Sequence, residues 1–219
     1  MIRLVVLMYV RFPLSLRNVE DLLFERGIDI CHETVRHWWN RFGPLCAADV
    51  RRQRISPMRG FRHWRWHLDE MYVKLNGEMV YLWRAVDQEG EILESYITKT
   101  RDKAAALTFM KKALKRHGSP VTITTDGLRS YRAAMNELGN AGKQEVSRWA
   151  NNRAENSHLP FRRRERAMLR FRRMKTLQKF ASVHANVDNH FALERHLVDR
   201  TTYKERRFLA LAEWQMLAA

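Results

Sequence analysis

The chain has 219 residues, of which 45% are hydrophobic and 11% aromatic, with only nine glycines and five prolines. This composition predicts a folded chain with room for one medium domain and a small one, and two cysteines are too few for a disulfide framework. Lys and Arg number 40 against 24 Asp and Glu, and the net charge of +16 favours a polyanionic partner, above all nucleic acid.

The first ten residues read MIRLVVLMYV. Arg3 interrupts the apolar run and no small-residue cleavage site follows, so we expect a helix of the first domain rather than a signal peptide. No stretch approaches the length that spans a bilayer, and no membrane partner is expected. The low cysteine content favours a cytoplasmic location.

Two helices separated by a glycine-containing turn are predicted next. Ser15 can cap a helix that runs to Arg26 and stops at Gly27, and a second helix covers about residues 32–42. This pattern is typical of a helix-turn-helix, whose second helix enters a DNA major groove, but it also fits an ordinary helical hairpin. The candidate DNA-binding residues on the outer face of the second helix are Arg36, His37, Asn40 and Arg41.

Residues 43–60 are predicted to link two domains, because they contain Pro44 and Pro57 and show little apolar periodicity. Two basic residues of this segment, Arg51 and Arg52, are further candidates for DNA contact. The predicted domains are a helix-turn-helix domain over residues 1–55, a larger α/β domain over 56–200 and a C-terminal helical tail over 201–219.

A three-stranded antiparallel meander is predicted after this linker. The strands are Trp66–Leu75, Met79–Val86 and Ile92–Thr98. Asn76-Gly77 is a strong hairpin signal between the first two, and residues 87–90 form the next turn.

The rest of the larger domain alternates between helix and strand. We expect a helix capped by Thr100 and ending near His117, a central strand at Val121–Thr125, and a helix over residues 128–138. A short strand can follow, and the chain from about Asn152 reads as helical, where Pro160 can interrupt the helix. This order predicts an α/β fold, a mixed sheet flanked by helices, as in the ribonuclease H-like fold.

Three carboxylates are placed for phosphodiester chemistry in such a sheet. Asp69 lies within the first strand, Asp126 at the carboxyl end of the central strand, and Glu155 on the helix that can pack across them. Two divalent cations roughly 3.5–4 Å apart can serve both oxygens of an in-line displacement, and Mg²⁺ prefers such oxygen ligands. Asp69 taken alone also fits a hydrogen-bonded or salt-bridged residue, and Asp126 fits a turn residue or helix cap.

Four segments resemble the DDE domain of bacterial insertion-sequence transposases, and the insertion-sequence-six type is the most similar group. The four segments are WHLDEMYVK (66–74), YLWRAVDQEG (81–90), TTDGLRSY (124–131) and NNRAENSH (151–158). The resemblance implies a ribonuclease H-like core in which Asp69, Asp126 and Glu155 are catalytic and bind the metal. It further implies Mg²⁺ as cofactor, with Mn²⁺ as a substitute.

The same resemblance implies a DNA transposase that binds terminal inverted repeats and target DNA, associates with the nucleoid and works as a homo-oligomer. Members of the group carry a longer arm before the first helix, so we expect this chain to be N-terminally shortened. Two alternatives stay open, a nuclease of the same fold without strand transfer and an inactive DNA-binding regulator.

Basic residues are concentrated just after Glu155. Phosphate contact is predicted for this run because apolar residues at helical spacing can anchor it while the basic side chains track the DNA backbone. Trp149 can stack on a base and His158 can orient a phosphate or a water, although core packing and plain surface exposure are alternatives. The basic candidates in this run are Arg162, Arg163, Arg164 and Arg166.

Overall fold

The computed structural model describes residues 1–58, 65–146, 151–168, 171–192 and 198–217. The helices are α1 (Ile2–Arg11), α2 (Leu16–Phe24), α3 (His32–Met58), α4 (Lys103–His117), α5 (Arg129–Glu137), α6 (Asn152–Ala167), α7 (Met174–His190) and α8 (Arg200–Met216). The strands are β1 (Arg65–Leu75), β2 (Glu78–Asp87), β3 (Ile92–Thr98), β4 (Thr122–Thr125) and β5 (Gln144–Val146).

The chain forms two compact units built from non-contiguous segments, whereas the sequence prediction assumed contiguous domains. The first unit comprises Met1–Met58, Arg163–Leu169 and Val183–Ala219. The second comprises Arg59–Arg162 and Arg170–Ser182. None of the helices in the described ranges combines the length and the apolar character needed to cross a membrane.

The first unit is helical and begins with the predicted α1. The Ser15 side chain caps α2 as predicted, by accepting a hydrogen bond from the Asn18 backbone N–H, while the Asn18 side chain accepts one from the Ser15 backbone. Gly27 follows α2 with φ +75°, a backbone conformation that favours glycine. Glu20 then joins the two helices, because its Oε2 accepts from the backbone N–H of His32 at 2.9 Å.

The expectation that residues 43–60 lack a helix was wrong for 43–58, because α3 continues through them to Met58, where the first segment of the first unit ends. Its buried stripe extends from Trp39 to Cys46, Ala47 and Val50, and the small side chains in this stripe conceal the helical period in the sequence. Gly43 lies under the Trp39 ring, where a Cβ would approach Cε3 to 2.6 Å. Pro44 lies inside this helix, where a proline costs about 3 kcal/mol. The free energy gained by burying the apolar side chains of the stripe outweighs that cost.

The second unit contains, within the described residues, one five-stranded sheet of order β3-β2-β1-β4-β5. β2 pairs antiparallel with both β1 and β3. β4 pairs parallel with β1, and β5 pairs parallel with β4. Asn76 and Gly77 both have positive φ, 53° and 91°, as a tight hairpin turn requires. The predicted meander, the central position of β4 and the mixed sheet are confirmed, and the fold is ribonuclease H-like.

Helices cover both faces of this sheet. On one face α4 and α5 pack around Trp83, whose ring centroid lies 6.0 Å from that of Phe109 and 5.4 Å from that of Tyr131. On the other face Phe161 of α6 and Phe180 of α7 meet, with centroids 6.0 Å apart. Both faces of the sheet are therefore covered by aromatic and other apolar side chains. A charged side chain on either face needs a specific partner.

Two predicted local features differ from the structure. Asp102, not Thr100, caps α4, because its carboxylate accepts from the Ala105 backbone N–H at 2.8 Å. The predicted interruption at Pro160 was wrong, since α6 runs through it from Asn152 to Ala167. Pro160 lacks an N–H for the Asn156 carbonyl, but Asn156 is exposed and water can take that place.

Candidate active site

Asp69 and Asp126 lie on neighbouring parallel strands. The register pairs Trp66 with Ile123 and His67 with Thr124. Continuing that register by two residues places Asp126, directly after β4, level with Asp69 in β1. The two carboxylates predicted from the sequence are thus brought to one position at the carboxyl end of β4.

The charge of Asp126 disfavours the ionised form of Asp69. Burial first, and then repulsion from Asp126, raise the pKa of Asp69 from 3.8 to about 6. Asp126 itself is exposed. Two neighbouring carboxylates, one of which has its pKa raised by burial and by the charge of the other, are suited to bind a hard cation.

Helix α6 is fixed to the sheet beside Asp69 by two buried hydrogen bonds. The Asn151 side chain, 1% exposed, donates to the Leu68 carbonyl at 3.1 Å. Arg84, which lies opposite Asp69 in the β1–β2 register, donates to the Ser157 carbonyl. Both contacts hold the first two turns of α6 across β1 and β2.

Glu155 lies in the first turn of α6 and is exposed. One turn later, His158 places Nε2 3.1 Å from Oδ2 of Asp69. Residues three apart share a helix face, so Glu155 projects from the face that contacts Asp69, about one turn, roughly 5 Å, along the axis. In the described part of the chain, no three His, Cys, Asp or Glu side chains are close enough together to hold a metal ion.

The sequence left open whether His158 is a surface residue, and the structure buries it. Burial, and then the charges of Arg84 and Arg162, hold the pKa of His158 well below its usual range. The imidazole beside Asp69 is therefore neutral at neutral pH and adds no positive charge to the site.

Glu70, the next residue of β1, points to the opposite face as strand alternation predicts. Burial raises its pKa to about 7, while the Tyr131 hydroxyl and Arg101 oppose that rise. Arg101 Nε donates to Glu70 Oε1 at 2.6 Å, and Arg101 Nη2 lies 4.0 Å from Asp126 Oδ2. The sequence analysis did not identify Arg101, Asn151 or Arg84, since each acts through a partner distant in the sequence.

The candidate DNA-binding residues of α3 lie mostly on its exposed surface. Arg36 forms an ion pair with Glu33 at 2.9 Å, and Arg52 forms one with Asp49 at 2.7 Å. Arg51 is half-buried. The remaining candidates on this helix, all exposed, are His37, Asn40 and Arg41.

The basic run after Glu155 divides into exposed and buried side chains. Arg163 and Arg166 are exposed, and the half-buried Arg162 lies over the Tyr72 ring, 4.8 Å from its centroid. Arg164 is 1% exposed and lies 4.8 Å from the Tyr9 ring centroid, and burial lowers its pKa to about 10. The prediction that Arg164 faces DNA is corrected, because an arginine this buried packs in the core of its unit. Trp149 lies outside the described residues.

Comparisons with known proteins agree with the motifs. A family model for the DDE domain matches residues 63–194. The transposase for the insertion sequence-like element IS431mec of Staphylococcus aureus strain Mu50 is 32% identical over 155 residues, which cover 68% of this chain and 67% of that protein. The S. aureus transposase of insertion sequence element IS257 in transposon Tn4003 is 31% identical over the same shares.

Among solved structures, the catalytic domain of the Mos1 mariner transposase is 15% identical, with a TM-score of 0.39 over 80% of this chain and 91% of that chain. The family match spans more than half of the sequence, and two-thirds of a curated transposase aligns at 32% identity. The chain therefore belongs to the DDE-type bacterial insertion-sequence transposases of the insertion-sequence-six-like group, and it is a DNA transposase.

Proposed function

We propose that Asp69, Asp126 and Glu155 are the catalytic carboxylates of this transposase and that they hold Mg²⁺, with Mn²⁺ as a substitute. The observation that carries the proposal is that Asp126, directly after β4, is level with Asp69 in the adjacent β1, where its charge helps to raise the pKa of Asp69. Glu155 completes the set from the first turn of α6.

The chemistry of these donors suits a divalent cation, and binding would have to draw Glu155 towards the two aspartates, because no three such side chains are gathered in the described part of the chain. Carboxylate oxygens are the protein ligands that Mg²⁺ prefers, usually one or two of them together with substrate phosphates. When bound, the cation would offset the negative charge of the carboxylates and stabilise the charge that develops on the reacting phosphate. Neutral His158 lies against Asp69, with its Nε2 3.1 Å from Oδ2, and Asn151 fixes the start of the helix that carries Glu155.

The chemistry consists of two phosphoryl transfers. In the first, a water oxygen bonds to phosphorus at the element's end while the bond from phosphorus to the 3′ oxygen breaks, and that oxygen leaves as a 3′ hydroxyl. In the second, this hydroxyl attacks a phosphorus of target DNA and a target 3′ oxygen leaves. Both are in-line displacements, so one set of carboxylates can serve each in turn.

DNA recognition is assigned to a different set of residues. We propose that the exposed Arg36, His37, Asn40 and Arg41 of α3 read the terminal inverted repeats from the major groove. Exposed Arg163 and Arg166 contact phosphates. Two ends must be joined in one reaction, so the working form contains at least a second copy of this chain.

The catalytic assignment is tested with Asp69→Asn, Asp126→Asn and Glu155→Gln. Each variant is expected to lose Mg²⁺-dependent cleavage of a labelled element end while it still binds that end without metal. Glu145→Gln is the matched control, since Glu145 is also an exposed acidic residue, on β5. A variant that cleaves at the wild-type rate removes its residue from the set, and cleavage without strand-transfer products would indicate a nuclease.

The recognition assignment is tested with Arg36→Ala. Loss of a base contact is expected to weaken binding of the specific end by about 1–3 kcal/mol and to leave binding of unrelated DNA less affected. Arg26→Ala is the control, because Arg26 is an exposed arginine of the same unit that lies beyond the end of α2, where it donates to the Leu22 carbonyl at 2.6 Å and lies 3.9 Å from Glu25. Equal losses in the two variants would contradict the role of α3 as the recognition helix.

A further inference from the structure

An ion pair between a buried carboxylate, Glu70, and a partly exposed arginine, Arg101, lies beside Asp126. The Glu70 side chain is 2% exposed, and its Oε1 accepts from Arg101 Nε at 2.6 Å as well as contacting Nη2. The fully buried Tyr131 lies beside the same carboxylate. A buried carboxylate requires such compensation, so Glu70 holds the arginine in a defined position.

The backbone around Arg101 is also fixed. Arg101 lies between β3 and α4, immediately before Asp102, whose side chain caps the helix. The Arg101 side chain is nevertheless 43% exposed, and its Nη2 lies 4.0 Å from Oδ2 of Asp126. A guanidinium has five N–H donors, and Glu70 engages Nε and one side of Nη2. The second N–H of Nη2, the nitrogen that lies 4.0 Å from Asp126 Oδ2, and the two N–H groups of Nη1 are left for another acceptor.

An arginine near the end of α4 shows what a purely structural pair looks like. Arg116 Nη1 lies 2.6 Å from Oε2 of Glu94, whose side chain is 5% exposed. This pair is near the far end of α4, and at 1.5 Å per residue Arg116 lies about 20 Å along the helix axis from Lys103, the first residue of α4. Within the described residues, Arg101 lies within ion-pair distance of a proposed catalytic carboxylate, whereas Arg116 pairs with Glu94.

We propose that Arg101 is a DNA-phosphate ligand of the active site, held by Glu70 so that its free donors contact the non-bridging oxygens of the phosphate that is cleaved. This inference rests on the proposed site at Asp69 and Asp126, because that site determines where the reacting phosphate must lie. A guanidinium offers a planar fork that matches two phosphate oxygens. Glu70 is a positioning residue, and by ordering Arg101 before DNA arrives it reduces the entropy lost on binding.

The test uses the full chain and an element-end duplex in which the phosphate at the cleavage position is either normal or an uncharged methylphosphonate. Binding is measured in EDTA, so that no metal contributes. For the wild type, neutralising this phosphate is expected to weaken binding by roughly 10-fold, the value of a hydrogen bond to a charged group. The quantity compared is the ratio of the dissociation constants of the methylphosphonate and the normal duplex. In Arg101→Gln the two duplexes are expected to bind equally, whereas Arg116→Gln is expected to keep the wild-type ratio.

Two further variants separate the contact from a structural effect. Arg101→Lys keeps the charge and the ion pair but loses the fork, so it is expected to restore part of the ratio, which a merely structural role would not do. Glu70→Gln leaves Arg101 charged but held less firmly, and it is expected to reduce the ratio without abolishing it. An unchanged ratio in Glu70→Gln would overturn the positioning role.

The proposal is overturned if Arg101→Gln keeps the same ratio as Arg116→Gln, or if the wild type binds both duplexes equally. Neither result bears on the catalytic carboxylates, since their assignment depends on Mg²⁺-dependent cleavage in the Asp69, Asp126 and Glu155 variants. If Arg101→Gln does not unfold cooperatively, the ratio measured for Arg101→Lys decides, and a wild-type ratio there overturns the forked contact.

Discussion

Asp69→Asn is expected to stabilise the metal-free protein at neutral pH, although it removes a proposed catalytic group. Burial and then Asp126 raise the pKa of Asp69 from 3.8 to about 6, so the folded protein holds this proton more tightly than the unfolded chain does. The stabilisation by the protonated form is complete below a pH of about 4 and is lost as the pH rises to about 6. At about 1.4 kcal/mol per pKa unit, the wild type loses at most about 3 kcal/mol.

The assay is urea unfolding of the wild type and Asp69→Asn in EDTA across this pH range, followed by the fluorescence of the buried Trp66 and Trp83. The difference in unfolding free energy is expected to be near zero at about pH 4 and to approach about 3 kcal/mol at about pH 8. Glu70 also titrates there, with a pKa of about 7, but it does so in both proteins and cancels in the difference. A difference that does not change with pH would refute the reasoning.

Magnesium provides the complementary measurement. A ligand that binds only the folded state stabilises it by about 2.7 kcal/mol at 100 times its dissociation constant. Mg²⁺ is therefore expected to stabilise the wild type at about pH 8 and to stabilise Asp69→Asn much less. Equal stabilisation of the two proteins would show that the cation binds elsewhere.

Four further substitutions probe the surroundings of the site and the basic run that follows Glu155. Asn151→Ala removes the hydrogen bond to Leu68 and is expected to lower the unfolding free energy by about 1–3 kcal/mol and to slow cleavage more than end binding. Gly127→Ala places a Cβ 2.9 Å from Val146 at φ +88° and is expected to lose about 1–3 kcal/mol, so an unchanged melting temperature would contradict the strain. Arg163→Gln is expected to reduce the salt slope of DNA binding by about 0.9, while Arg164→Gln lowers the melting temperature and leaves the slope unchanged.

Features encoded by a few adjacent residues were predictable from the sequence. Asn76-Gly77 supplies two residues that adopt positive φ, which explains why the first hairpin was found at the correct position. Ser15 carries a hydroxyl that can satisfy a free N–H at a helix start, and it caps α2 as predicted. The strand order then predicted that Asp69 and Asp126 meet, because sequential strands of a mixed sheet leave few alternatives.

Features that depend on tertiary burial were not predictable in this way. Pro44 and Pro160 read as breaks in the sequence, yet both lie inside helices whose buried faces stabilise them. Arg164 reads as part of a basic surface, but it lies against the ring of Tyr9, which is more than 150 residues away in the sequence. The position of a charge in the sequence does not reveal whether an aromatic ring will cover it.

The electrostatic partners in the site depend on long-range contacts as well. Asn151 contacts β1 across 83 residues, and Arg101 contacts Glu70 across 31. Neither pair has a periodic signature, since each forms only after the sheet and its helices are in place. The sequence could therefore identify the carboxylates by their elements, but not the residues that orient them.

The most direct test of the catalytic assignment is anomalous diffraction from a complex of the full chain with its element-end DNA and Mn²⁺. Manganese signal is expected within about 2.0–2.3 Å of carboxylate oxygens from Asp69 and Asp126, with Glu155 completing the coordination. Signal bound by other side chains, or a Glu155 that stays outside the coordination shell in the DNA complex, would contradict the account.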